Sequence, residues 1–148
     1  MTTKLNHDEL GAYFALVTAG DLVQRAVASQ LAEHGLTPPQ FAVLATLLDA
    51  ADGLRMSDLA EALVISRSGL TYQISQLEKA GLVERRSSSS DNRGVVARLS
   101  ADGRARVMET FPGHVNLVRA NFLDLLTAAE IAALRIALER VVAHMREP

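Results

Sequence analysis

Residues 56–99, MSDLAEALVISRSGLTYQISQLEKAGLVERRSSSSDNRGVVARL, contain the pattern that decides the fold. They predict two short helices joined by a tight connection, followed by a β-hairpin with a long polar tip. The first helix is expected over residues 57–64, with Ser57 as its N-cap. The second helix is expected to begin at Ser66 and to stop near Gly81, because glycine is favoured just beyond a helix C-terminus.

The second of these helices has one apolar and one polar side. Leu70, Ile74 and Leu77 recur at helical spacing and predict its buried stripe. The opposite side offers hydroxyls, an amide and cations but no acid, which suits hydrogen bonds to base edges and phosphates. An ordinary solvated face is the alternative when the helix is considered alone. The candidate DNA-contacting residues of this helix are Ser66, Arg67, Ser68, Thr71, Tyr72, Ser75, Gln76 and Lys79.

The hairpin is predicted from strands over residues 82–86 and 95–99, each with alternating character. A short strand over residues 54–56 is expected to pair with it. The tip between the strands is too polar to pack, and a solvated surface loop is the plain interpretation. Arginines surround this tip, however, and such an arm can place a guanidinium in a narrow minor groove. The candidate wing arginines are Arg85, Arg86, Arg93 and Arg98.

Composition and charge limit the class of protein. The chain has 148 residues, a formal net charge of −2 and no cysteine, which excludes disulfides and thiolate zinc sites. The charge is uneven, since residues 55–106 hold nine basic and six acidic side chains, while the remainder holds six basic and eleven acidic ones. The net +3 of the central segment favours a surface that meets phosphates. Without a predicted membrane span or signal peptide, a soluble cytoplasmic protein is expected.

Two helices are predicted before the central segment. The first covers residues 8–34, and Gly20 inside it allows a kink. The next begins with Thr37 as N-cap and Pro38 as the first helical residue, a position that proline favours.

Two further helices are predicted after the hairpin. Ser100 is the expected cap of the fifth helix, and Pro112-Gly113 is expected to break or sharply kink it. Thr127 and Glu130 form the T-x-x-E capping box of the last helix.

The helices near both termini are markedly apolar. If they come together, they form a helical layer with more apolar surface than one small chain covers, and a homodimer is the natural solution. The alternative is that these stripes form the core of a monomer.

The ordered motifs resemble the MarR family of winged-helix regulators over about residues 8–145. The resemblance rests on the set of motifs and their spacing. These motifs are LTPPQFAVL (36–44), SRSGLT (66–71), LEKAGLV (77–83), DNRG (91–94) and LSADG (99–103).

The resemblance implies a mainly α fold with a small β-hairpin wing: a winged helix-turn-helix core plus a helical dimerisation layer from both termini. It implies one domain over 1–148, with 36–100 binding DNA and helices 8–34 and 101–146 forming an obligate homodimer. Arg93 matches the family's wing arginine, which is expected to enter the minor groove. Asp91 matches the acidic residue that shapes the wing tip. The implied function is regulation of transcription, usually repression, from a pseudo-palindromic operator with half-sites about 10 bp apart. Release by a small aromatic or phenolic effector is common in the family.

Two departures from the family pattern affect these expectations. Tyr72 stands where many relatives carry a basic residue, so the DNA base that this position prefers to contact is open. The Pro112-Gly113 pair could alter the geometry between dimer helices and wing.

Catalysis and protein docking are the competing interpretations. His7, His34, His114 and His144 share no metal-ligand spacing, and the chain lacks phosphate-loop and nucleophile motifs. No enzyme activity, metal or cofactor is therefore expected. The alternative function is a winged-helix module that binds a protein without binding DNA.

Overall fold

The chain folds into six α-helices and a small three-stranded sheet within the described residues. The structure, a computed structural model, describes residues 3–87 and 94–147. Its helices are α1 (His7–Ala32), α2 (Pro38–Leu47), α3 (Met56–Leu63), α4 (Arg67–Lys79), α5 (Ala101–Asn121) and α6 (Ala128–Arg146), with a short 3-10 turn at Leu123–Leu125. Its strands are β1 (Leu54–Arg55), β2 (Val83–Ser87) and β3 (Val95–Leu99). The expected mainly α fold with a hairpin wing is confirmed.

The chain divides into two compact units, one formed by residues 27–114 and the other by the two terminal segments up to 26 and from 115. The first unit holds the helix-turn-helix and the sheet. In the sheet, β3 lies between β1 and β2, and both pairings are antiparallel. Leu54 pairs with Ala97, and Arg85 pairs with Ala97 from the other side. The predicted pairing of the short strand with the hairpin is thus confirmed.

Most predicted helix ends of this unit are confirmed. The Thr37 hydroxyl accepts from the Gln40 amide while the Gln40 side chain accepts from the Thr37 amide, which completes a capping box before α2. The Ser66 hydroxyl accepts from the Gly69 amide at 3.0 Å and caps α4. Gly81 follows α4 with φ +75°, a conformation that glycine adopts without strain.

The predicted cap of α3 is wrong. Ser57 lies inside the helix, and Arg55 is the N-cap without a side-chain hydrogen bond. The reason is the sheet, because pairing of Arg55 with Val96 holds Arg55 in an extended conformation immediately before the helix. The helix therefore begins at Met56, one residue earlier than expected.

The core of this unit lies beneath α4. Leu70, Ile74 and Leu77 are buried, as predicted, together with Leu44 and Leu59 of the preceding helices. Each such side chain contributes about 1.5–3 kcal/mol when it is fully buried. This burial fixes the rotation of α4, so its polar side faces outward.

The helix α5 is anchored at its N-terminal half. The Ser100 hydroxyl caps it by accepting from the Gly103 amide at 3.0 Å, which confirms the predicted cap. Arg106 Nη1 donates to the His34 carbonyl at 3.0 Å, and Arg104 Nη2 donates to the Leu48 carbonyl at 3.1 Å. These bonds hold α5 to the chain segments that follow α1 and α2.

The predicted break of α5 at Pro112 does not occur, and neither long helix is interrupted. The helix α5 is continuous through Pro112, and α1 is continuous through Gly20. Proline at 112 has no amide to donate to the Met108 carbonyl, so only one helical hydrogen bond is lost there. For Gly20, the propensity cost of about 1 kcal/mol is small beside the cooperativity of a 26-residue helix.

The terminal unit contains α6 and most of α1. The predicted capping box before α6 is confirmed, since the Thr127 hydroxyl accepts from the Glu130 amide at 3.2 Å and the Thr127 amide donates to the Glu130 carboxylate at 2.8 Å. These hydrogen bonds to Thr127, the backbone one first, lower the pKa of Glu130. In the described part of the chain, no helix combines the length and the apolar content that crossing a membrane requires.

Candidate nucleic-acid interface

The outward side of α4 is the first component of the candidate interface. We call the eight predicted residues from Ser66 to Lys79 the outer face of α4. None of the eight is acidic, and all are exposed or half-buried. The one acid of the helix, Glu78, is directed elsewhere, because its carboxylate pairs with Arg85 of β2 at 2.6 Å. The outer face therefore presents donors, acceptors and cations without a competing carboxylate.

Several hydroxyls of this face are fixed by local hydrogen bonds. Thr71 Oγ1 donates to the Arg67 carbonyl at 2.8 Å, and the Ser66 and Ser68 hydroxyls lie 3.2 Å apart. The Ser66 side chain is also the N-cap of α4, a role worth about 1 kcal/mol. Ser66 thus has a structural role in addition to its predicted one, and the first turn of the helix is preorganised.

The three wing arginines that the structure describes are ion-paired, which was not predicted from the sequence. Arg85 Nε is bound to Glu78, Arg86 Nη2 lies 3.3 Å from Glu84 Oε2, and Arg98 Nε lies 3.1 Å from the same oxygen. Ion pairs at this degree of exposure contribute at most about 1 kcal/mol each to stability. Their main effect is to hold these guanidinium groups in place and to neutralise part of the wing's positive charge.

The two tip residues assigned by resemblance, Asp91 and Arg93, lie outside the described residues. Their roles stay predictions.

A cleft of about 380 Å³ lies between the start of α3, the start of α4 and the sheet. Arg55, Arg67 and Arg85 line it, together with the apolar Leu70 and Val95. Sequence reasoning did not select Arg55 as a site residue. The signal was available, because the predicted pairing of its strand with the hairpin brings Arg55 beside the wing. The remaining lining residues are Met56, Ser57, Thr71 and Gly94.

A second polar feature lies on α5, at His114. The His114 ring packs on Phe41 with centroids 4.7 Å apart, and burial lowers the pKa of His114. Its Nδ1 and the Oε1 of Gln30 are buried and have no hydrogen-bond partner within the described residues. In the same part of the chain, no group of three or more His, Cys, Asp or Glu side chains is placed to hold a metal ion.

Comparisons with known proteins agree with this geometry. A MarR family model matches residues 34–94. The HTH-type transcriptional regulator PecS of Dickeya dadantii is 31% identical over 126 residues, which cover 84% of this chain and 75% of PecS. The crystal structure of AbsC, a MarR family transcriptional regulator from Streptomyces coelicolor, matches with a TM-score of 0.94 and 34% identity over 98% of this chain and 99% of AbsC. The chain belongs to the MarR family.

A second structure connects this MarR-family fold to nucleic acid. Sco3205, a MarR family transcriptional regulator from the same organism, was solved in complex with DNA. It matches this chain with a TM-score of 0.90 and 31% identity, over 99% of this chain and 93% of Sco3205. Several other matched relatives are named transcriptional repressors. This MarR-family chain is accordingly a transcriptional regulator with a DNA-binding winged-helix fold, as the sequence motifs predicted.

Proposed function

We propose that this regulator is a cytoplasmic repressor that binds a pseudo-palindromic operator as a homodimer, with α4 in the major groove. The observation that carries the proposal is the outer face of α4: an exposed, acid-free surface on a helix whose opposite side is fully buried. A rigid helix with such a face can hold its donors and acceptors against base edges at little cost in conformational entropy. The similar Sco3205 was solved in complex with DNA, which supports DNA binding by a protein of this fold.

The chemistry of each side chain suggests its partner on DNA. Arg67 and Lys79, at the two ends of α4, suit phosphate contacts, whereas Ser75 and Gln76 suit base edges. The family resemblance assigns Arg93 to the minor groove. Within the proposed interface, positional contacts and sequence-specific contacts thus come from different residues, which makes them separable by mutation. The other proposed contacts come from Ser66, Ser68, Thr71, Tyr72, Arg85, Arg86 and Arg98, with Asp91 shaping the tip.

The homodimer is proposed from the terminal helices, 8–34 and 101–146, while residues 36–100 bind DNA. Tyr13 and Phe14 of α1 are each 57% exposed, and along α6 no described residue is buried. A groove of about 420 Å³ on α6 is lined by Leu138 and Val142 among others. Apolar surface of this extent marks a protein interface. Light scattering is expected to give twice the mass of one chain, 15.9 kDa.

A small aromatic effector is the remaining part of the proposal. The cleft beside α4 supports an anionic one, because three arginines and the apolar Leu70 and Val95 line the same space. A ligand bound there would occupy the surface that DNA approaches and so compete with it. Salicylate or benzoate is expected to raise the apparent Kd for DNA, and Arg85→Gln is expected to abolish that effect. A competition that Arg85→Gln leaves intact would place the effector elsewhere.

Fluorescence anisotropy with a labelled duplex from the gene's own upstream region tests the DNA-binding claim. Arg67→Gln is expected to weaken binding at every sequence and to reduce the salt dependence. Arg119→Gln is the matched control, since Arg119 lies on α5 outside the proposed interface, in an exposed pair with Asp124. Absence of binding to any duplex at low salt would refute the proposal and favour a winged helix that docks on protein.

A further inference from the structure

Tyr72 does not fit the pattern of its surroundings. It lies among hydroxyl, amide and cationic side chains, yet it is 61% exposed and carries an aromatic ring. Tyr72 and Val64, the latter 60% exposed, are the most exposed large apolar or aromatic side chains among the described residues of 27–114. Scattered exposed apolar residues are ordinary, but this ring occupies the middle of the surface proposed to enter the major groove.

The neighbouring residues leave room for the ring on the side that approaches bases. Helical side chains lean toward the helix N-terminus, so a side chain at 72 covers the turn formed by Ser68 and Gly69. Gly69 presents no side chain there, and a Cβ on it would lie 3.0 Å from the Ser66 hydroxyl that caps the helix. The N-terminal part of a recognition helix is the part that contacts base edges.

The chemistry of the major groove then identifies what the ring would contact. Base pairs present donors and acceptors along this groove, and the thymine methyl is the apolar group among them. The Ser66 and Ser68 hydroxyls, on the same turn, already contact each other at 3.2 Å. We propose that Tyr72 is a specificity-determining residue that selects thymine by packing its ring on the 5-methyl group. This inference rests on the proposed binding of α4 in the major groove.

The test replaces thymidine by deoxyuridine, which removes the methyl group and keeps the base pair. A duplex enriched by the purified full-length protein from a random pool is the probe, and each thymidine is replaced in turn in both half-sites. Burial of one methyl group is worth about fourfold in affinity, so replacement in both half-sites should cost about 15-fold at the contacted position. Anisotropy titrations measure this ratio.

Variants separate the ring from the hydroxyl. Tyr72→Phe is expected to keep the thymine-to-uracil ratio, whereas Tyr72→Ser is expected to bring it close to one at that position. Residue 72 is exposed, so neither substitution is expected to disturb the core. Circular dichroism checks that both variants fold.

The possible results distinguish this inference from the function on which it rests. Selected DNA that binds tightly but is insensitive to every uridine would overturn the role of Tyr72 and leave DNA binding intact. A thymine-to-uracil ratio that Tyr72→Ser preserves, or that Tyr72→Phe brings close to one, would overturn it as well. Failure to enrich or bind any duplex would overturn both proposals together.

Discussion

Gly103 lies close to the chain just after α4, and its replacement by alanine gives a first prediction. The sign of the change in unfolding free energy shows whether packing or helix propensity dominates. Gly103 is buried in the first turn of α5, and a Cβ built on it would lie 1.9 Å from the Leu82 carbonyl oxygen and 2.9 Å from its carbon. Two hydrogen bonds maintain this approach. The Ser100 amide donates to the Leu82 carbonyl at 3.1 Å, and the Ser100 hydroxyl donates to the Gly81 carbonyl at 2.6 Å.

The magnitude follows from these distances. Ordinary contact begins at 3.4 Å, so Gly103→Ala must enlarge a separation of 1.9 Å by about 1.5 Å, against backbone that cannot rotate away. Overpacking of this kind costs about 1–3 kcal/mol, and weakening the two hydrogen bonds costs about 1 kcal/mol each. Helix propensity favours alanine by about 1 kcal/mol. We therefore expect Gly103→Ala to lower the free energy of unfolding by about 3 kcal/mol.

Urea denaturation followed by circular dichroism, at one fixed protomer concentration, measures the change. Gly11→Ala is the control, because a Cβ at Gly11 meets nothing within 4 Å and the residue lies off the apolar stripe of α1. That variant is expected to gain about 0.5–1 kcal/mol from propensity alone. A Gly103→Ala protein as stable as the parent would refute the close approach of α5 to the end of α4.

Three further changes have definite expected results. Val64 has φ +56° and is 60% exposed, so Val64→Gly should relieve left-handed strain and raise stability by about 0.5–1 kcal/mol in urea denaturation, whereas a loss would contradict the strain. Glu84→Gln should release wing guanidinium groups for phosphates and steepen the slope of log Kobs against log salt by up to about 1 per half-site; an unchanged slope would show that the released groups gain no phosphate contact. Because burial lowers the folded pKa of His114, the unfolded chain binds a proton first as pH falls, so stability is fully present above the ordinary pKa of 6.5 and declines below it. His114→Phe should remove part of that decline between pH 7 and 5 in thermal melts, while substitution of the exposed His144 to Gln should not.

Local chemistry made the central helices predictable. The Ser66 cap, the Gly81 stop and the stripe of Leu70, Ile74 and Leu77 each depend on residues close in sequence, and the structure confirms them. The capping box at Thr127 was predictable for the same reason.

The predictions that proved wrong concern features that contacts between distant parts of the chain determine. Ser57 is not a cap because the paired strand ends at Arg55; the pairing was predictable, but the residue at which the strand gives way to the helix depends on the register with β3. Pro112 does not break α5, because a single lost hydrogen bond does not outweigh the tertiary packing of a 21-residue helix.

The electrostatics of the candidate site show the same limit. Of the four arginines predicted to give the wing its positive charge, the three that the structure describes, Arg85, Arg86 and Arg98, are ion-paired. Their partners Glu78 and Glu84 were visible in the sequence, but the helix-to-strand contact and the cross-strand pairing that bring them together are tertiary features. Arg55 entered the site through the same sheet.

Selection of DNA from a random pool, followed by sequencing, tests directly whether the outer face of α4 reads a two-fold symmetric operator. A symmetric homodimer is expected to enrich an inverted repeat with half-site centres about 10 bp apart. Recognition by this face also predicts that Gln76→Ala changes the base preference at one symmetric pair of positions, while Arg67→Gln weakens enrichment without changing the preferred bases. Enrichment that lacks two-fold symmetry, or a base preference that Gln76→Ala and changes elsewhere on the outer face of α4 leave unaltered, would contradict recognition of DNA by this helix.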